Sequence, residues 1–119
     1  MGTIKNFEDL DIWKISRELV NLIYSDYKSC KDFNFRNQIT SAGISIVNNI
    51  SEGFCRKSDA EFSQFLNISK GSAGEVKSMY YIAEDQDYIT SDIAIERRNK
   101  SQKIINGISS FMKYLKPVK

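Results

Sequence analysis

Between Gln38 and Arg56 the chain sorts into two adjacent helical stripes. At about 3.6 residues per turn, Ile39, Ala42, Gly43, Ile46, Ile50, Gly53 and Phe54 share one face, while Gln38, Ser41, Ser45, Asn49, Glu52 and Arg56 share the next. The first stripe is a core face. The second is a polar face that calls for hydrogen-bond partners, and the pattern as a whole predicts a helix from about Phe35 to Phe54.

The same periodicity runs on both sides. Ile12, Trp13, Ile15, Leu19, Val20, Leu22, Ile23, Tyr24 and Tyr27 predict a first helix over about Asp9 to Lys28. Their arc spans about 200°, well beyond the roughly 100° a helix needs to face one core, so more than its own chain is expected to cover it. After the polar link Ser29-Cys30-Lys31-Asp32 and the second helix, Ser58 with Glu61 fits a capping box that opens a third helix, Asp59 to Asp85. Its core stripe is Phe62, Phe65, Leu66, Ser69, Ser72, Ala73, Val76, Met79, Tyr80 and Ala83. Asn67, Gly71, Gly74 and Ser78 form a second line of small residues on it. Each interior glycine costs about 1 kcal/mol relative to alanine, so the two are expected to admit a closely approaching helix, which a neighbouring subunit could supply.

Gln86-Asp87-Tyr88-Ile89 reads as a turn, with Thr90 or Ser91 capping a fourth helix through about Leu115. Ile104 or Ile105, Ile108, Phe111 or Met112 and Leu115 give its second half an apolar stripe. Traced backwards, that stripe meets Ser101 and then Arg97 or Arg98. Either the first half overhangs the bundle, or its arginines pair with acids such as Glu84 and Asp85. With a single proline, Pro117, and no alternating strand pattern, the class is all-α: an up-down-up-down antiparallel four-helix bundle, with residues 1–119 as one domain.

Charge adds one feature. The net charge of the 119 residues is only +2, yet every charged residue after Glu96 is basic: Arg97, Arg98, Lys100, Lys103, Lys113, Lys116 and Lys119. Residues 1–96 carry ten bases against fifteen acids. Such asymmetry suits a polyanion or an acidic partner, and equally a solvated basic face. Cys30 and Cys55 lack metal-ligand spacing and are expected to be free thiols of a cytoplasmic protein, and no apolar run approaches the roughly 20 residues of a membrane span.

No catalytic constellation appears. Without histidine, His-dependent nucleophilic sites and Glu-x-x-His di-iron sets are excluded. Lys70-Gly71-Ser72 lacks the upstream glycines of a phosphate loop. Glu52 and Glu75 could approach across the contact of the second and third helices, as acid-base groups or as metal ligands, but no other hard ligands accompany them. No cofactor is expected. The polar stripe of Gln38, Ser45, Asn49, Glu52 and Glu75 reads as structural: Glu52 and Arg56, four apart, form a surface pair, and Asn49 bonds across a helix or subunit interface. The other reading gathers Arg56, Lys57 and Lys70 at one bundle end against phosphates. Arg97, Arg98, Lys100 and Lys103 would add salt-sensitive, sequence-independent contacts.

Taken together, these residues resemble the small four-helix-bundle family encoded in intervening sequences of bacterial large-subunit (23S) ribosomal RNA genes. The likeness rests on Phe7-Glu8-Asp9-Leu10 with Trp13; on Gln38, Ser45-Ile46, Asn49-Ile50, Glu52-Gly53 and Arg56; and on Glu61-Phe62, Phe65-Leu66, Ile68, Gly71-Ser72 and Glu75. The accessory protein of diversity-generating retroelements, which partners a reverse transcriptase and its RNA, looks like a relative. The chain departs from the family pattern at Ser41 (usually arginine), Val47 (usually proline) and Ser51 (usually alanine), which removes one positive charge and should leave the second helix straighter. The resemblance implies a non-enzymatic homo-oligomer, a pentamer, with a link to RNA. Trp13, Asn67, Gly71, Gly74 and Ser78 are the candidate assembly residues. The competing expectation is a protein-interaction scaffold that partners a nucleic-acid enzyme and binds no RNA itself.

Overall fold

A computed structural model describes residues 4–115. Pro117, Lys116 and Lys119, which figure in the sequence reading, lie outside the described residues. A 3-10 turn at Phe7–Asp9 leads into four helices: α1 (Asp11–Tyr27), α2 (Phe33–Phe54), α3 (Asp59–Asp85) and α4 (Ser91–Leu115). Consecutive helices run antiparallel and pack side by side, α1 on α2, α2 on α3 and α3 on α4, with α4 closing more lightly on α1. The result is an up-down-up-down four-helix bundle 48 Å long and about 20 Å across.

Each boundary has a local cause. α1 begins at Asp11 rather than Asp9, because Phe7–Asp9 form the 3-10 turn and Leu10, buried and extended, separates the two. α2 begins two residues before the expected Phe35, because an Asp32 side-chain oxygen accepts the Phe35 backbone N–H at 3.1 Å and caps the first turn. At α3 the Ser58 hydroxyl accepts the Glu61 N–H at 3.2 Å, while the Glu61 carboxylate returns to the Ser58 hydroxyl at 3.3 Å instead of to its backbone amide. At the other end of α3, Tyr88 N–H donates to Ala83 C=O and Asp87 N–H to Glu84 C=O, with Asp87 at φ 59°. That is a Schellman motif with aspartate where glycine is usual; Asp tolerates the left-handed region better than most residues. Thr90 caps α4.

The core follows the apolar stripes. Ile39, Ala42, Gly43, Ile46, Ile50 and Gly53 of α2 are all buried, in one core with Leu66, Ala73, Val76 and Tyr80 of α3, and Gly43 lies against Ile23 and Val20 of α1. α1 buries Ile12, Ser16, Leu19, Ile23 and Tyr27, whereas Trp13, Val20 and Leu22 are half-buried and Tyr24 is exposed. Its apolar arc is thus only partly covered by its own chain. No helix among the described residues is long and apolar enough to cross a membrane.

Candidate nucleic-acid and assembly surfaces

The α2–α3 seam is built from small residues. A Cβ placed on Gly53 would stand 2.7 Å from Phe65 Cβ and 2.8 Å from Phe62 Cδ1, so glycine is required for the helices to approach this closely. Further along, Ser69 donates to the Ile46 C=O at 2.8 Å and the Ser45 and Ser72 hydroxyls meet at 2.8 Å. Asn49 completes the set from its own helix, donating to the Ser45 C=O and hydroxyl, so among the described residues its amide N–H groups bond within α2 rather than across to another helix of the chain.

Glu52 and Glu75 do not meet. Glu52 lies beside Gly53, at the Phe62–Phe65 level, and pairs with Arg56 at 3.3 Å on the exposed surface, as the four-residue spacing implies. Glu75 stands on the far side of Ser72, with Gln38 and Ser45, in an open polar groove between α2 and α3. Antiparallel pairing about Ser45–Ser72 forces the two carboxylates to opposite ends. Among the described residues no group of three or more His, Cys, Asp or Glu could hold a metal ion.

The basic residues divide into two sets. Arg97 runs inward from α4, its guanidinium donating to both oxygens of Asp26 on α1 at 2.8 and 3.0 Å; Tyr80 of α3 donates to the same carboxylate at 2.7 Å. The side chains of Arg97 and Asp26 are only 13% and 6% exposed. Arg97 also contacts Glu96. Hydrogen bonding to Asp26 raises the Arg97 pKa still further. Arg98 pairs with Glu84 at 2.8 Å and covers the Tyr81 ring at 4.0 Å; Lys100 pairs with Glu18 at 3.0 Å. Hydrogen bonds from Ser91 and Arg98 hold the Glu84 pKa below the usual range. The missing apolar stripe of early α4 is therefore a stripe of ion pairs. Glu84 is the partner foreseen for the arginines, whereas Asp26 takes the place expected of Asp85.

Arg56, Lys57 and Lys103 belong to the second set and are exposed. Arg56 lies over the Phe65 ring at 4.7 Å, which orients its guanidinium at the α2–α3 corner beside Lys57. Lys70 is half-buried and stands apart, eleven residues into α3 or about 16 Å along its axis, so it does not join that corner.

The outward face of α3 is open. A Cβ on Gly71 or Gly74 would meet nothing within 4 Å, and Asn67 and Ser78 on the same line are exposed. Ile68 and Ile82, 53% and 45% exposed, flank this strip of small residues. The close neighbour expected at the glycines is therefore not a helix of the same chain. Trp13 is half-buried against Phe7, with Arg17 over its ring at 5.6 Å and its indole N–H buried without a partner.

Sequence reasoning missed Asp26 as the partner of Arg97 and Tyr80 as a second donor to that carboxylate, because residues 71 and 54 positions apart carry no joint periodicity. Ser72 stood on the predicted core stripe, but its hydrogen bond to Ser45 was not foreseen.

An antiparallel four-helix bundle with a hydroxyl-lined α2–α3 seam, an ion-paired α1–α4 seam and an open small-residue strip is the class that this architecture defines. Residues 8–110 match the family model of the 23S rRNA-intervening sequence proteins, and the chain belongs to that family. A solved structure from Bacteroides thetaiotaomicron, a protein of unknown function from the S23 ribosomal protein family, is similar to it: TM-score 0.78, 29% identity, covering 86% of this chain and 98% of that one. None of the curated proteins matches.

Proposed function

We propose that this chain is a non-catalytic, self-assembling bundle, a ring of five copies, that associates with RNA through its exposed cations. The open α3 strip carries the reading. Two interior glycines weaken a helix by about 1 kcal/mol each and nothing among the described residues fills the space beside them, which suits close approach by a second copy. Ile68 and Ile82 supply the apolar contacts around it. Repetition around a ring would multiply the corner formed by Arg56 and Lys57, together with Lys103, into a band of positive charge for phosphates.

Native mass spectrometry tests the assembly. The wild type should be a pentamer at micromolar concentration, and Gly74→Leu should dissociate it while the helical circular dichroism signal persists; a monomeric wild type, or a variant that assembles normally, overturns this part. Binding to a structured ribosomal RNA hairpin at low and near-physiological salt tests the second part. Arg56→Gln/Lys57→Gln/Lys103→Gln should weaken binding and flatten its salt dependence by about one slope unit per lost phosphate contact.

A second reading, a scaffold for a nucleic-acid enzyme, is favoured by one observation: Arg97, Arg98 and Lys100 are engaged inside the bundle, which leaves a thinner basic surface than the sequence suggests. Absence of hairpin binding at low salt would select it.

A further inference from the structure

The end of α1 and the beginning of α2 enclose a groove of about 300 Å³. This is the lower end of the roughly 300–1,000 Å³ typical of ligand clefts. Ile23 and Tyr27, both buried, form its floor; Tyr24 is its exposed aromatic wall; and Lys28, Arg36 and Thr40 line the rest. No acid lines it. The two nearest carboxylates in sequence are engaged elsewhere, Asp26 by Arg97 and Tyr80, and Asp32 by Tyr88 and the Phe35 N–H. Among the described residues, neither Lys28 nor Arg36 enters an ion pair or a side-chain hydrogen bond. Arg36 is nevertheless held in place, since its guanidinium lies 4.8 Å from the centroid of the exposed Phe33 ring. A cation–π contact fixes the guanidinium plane without consuming its N–H donors, which remain free for an oxyanion.

An exposed aromatic wall beside two unspent cations over an apolar floor matches the two faces of an unpaired nucleotide: a base to stack and a phosphate to bind. We infer that the groove holds one unpaired nucleotide of an RNA strand, with the base against Tyr24 and the phosphate at Arg36 and Lys28. The inference deepens the RNA reading above, on which it rests, by adding a single-strand site separate from the corner at Arg56 and Lys57. Every base has a stackable face, so the site is tolerant of sequence.

Fluorescence anisotropy with a labelled six-nucleotide oligoadenylate, and with an abasic strand of the same length and charge, tests it on the intact protein. The wild type should bind oligoadenylate at least tenfold more tightly than the abasic strand. Tyr24→Ala should abolish that difference. Arg36→Gln, or the exposed Lys28→Gln should Arg36→Gln prove unfolded, should weaken both strands severalfold, and none of the three should alter binding of the ribosomal hairpin. Equal affinity for the two strands in the wild type, or unchanged binding in the variants, overturns the proposal. So does displacement of oligoadenylate by a hexaglutamate peptide as readily as by the abasic strand, which would make the groove a docking point for acidic protein segments. If the hairpin binds and depends on Arg56, Lys57 and Lys103 while oligoadenylate does not bind, the groove proposal alone fails; if neither RNA binds, the RNA reading fails with it.

Discussion

The α2–α3 and α1–α4 seams join helices of the same bundle by opposite means. At α2–α3 the backbones approach until Gly53, set against Phe62 and Phe65, has no room for a Cβ, and the polar groups are neutral hydroxyls and an amide. At α1–α4 the reach is long beside the first half of α4, where the gap is spanned by Arg97 with Asp26 and by Lys100 with Glu18; only further along does Gly107 come close to Ile12. Close approach gives many dispersion contacts and fixes the spacing of the helices. Ion pairs fix register, but charges withdrawn from water return little net stability while both partners stay and cost much when one is lost.

That asymmetry is open to direct attack. Arg97→Met strands a nearly buried carboxylate and should cost about 3–5 kcal/mol, read as a lower urea midpoint. Adding Asp26→Leu should recover most of the loss, leaving about 1–3 kcal/mol because the Tyr80 hydroxyl loses its acceptor. Failure of the second substitution to rescue would mean that the α1–α4 seam depends on the pair for more than charge balance.

At the other seam, Gly53→Ala should cost about 1–3 kcal/mol, since the atoms a Cβ would strike include Phe65 Cβ, which cannot move without its helix. By contrast Gly71→Ala and Gly74→Ala, on the open strip of the same α3 helix, should each stabilise the fold by up to about 1 kcal/mol. A loss at Gly71 or Gly74 in thermal unfolding of the dissociated, monomeric chain would contradict the open face described above, whereas a loss confined to the assembled form is what close approach of a second copy produces. Ser45→Ala removes the partner of Ser72 and one of the two acceptors of Asn49, and should cost about 1 kcal/mol in the same assay.

The smallest effect is on pH dependence. Glu84 has a folded-state pKa below its ordinary value, so its contribution is present at neutral pH and is lost as pH falls from about 4.3 through that lowered value. Asp32, lowered by the hydrogen bond from Tyr88, behaves likewise. The melting temperature should therefore fall between about pH 5 and pH 3, and Glu84→Gln should remove part of the slope. Ser45→Ala should leave the slope untouched, because the hydroxyls and amide of the α2–α3 seam do not titrate.

Stripe, cap and turn are local quantities, and they were legible in the chain. The α2 core face from Ile39 to Gly53, the Ser58 cap and the limits of α3 are written in residues three to four positions apart, because helical periodicity and capping couple only near neighbours. The family likeness was legible for the same reason, being a set of motifs along those helices. What the sequence could not say is where long side chains go once four helices meet. Arg97 and Arg98 look identical to Lys103 in a linear reading of charge, yet the first two reach inward to Asp26 and Glu84 while Lys103 faces water. Asn49 turned to its own helix while Ser45 met Ser72 on another, and Glu52 and Glu75 were parted by the antiparallel register of α2 and α3. The sequence by itself determined four helices and the faces they bury. Only the tertiary structure decided which charges and hydroxyls remain unspent, because pairing depends on distances between residues that no local period relates.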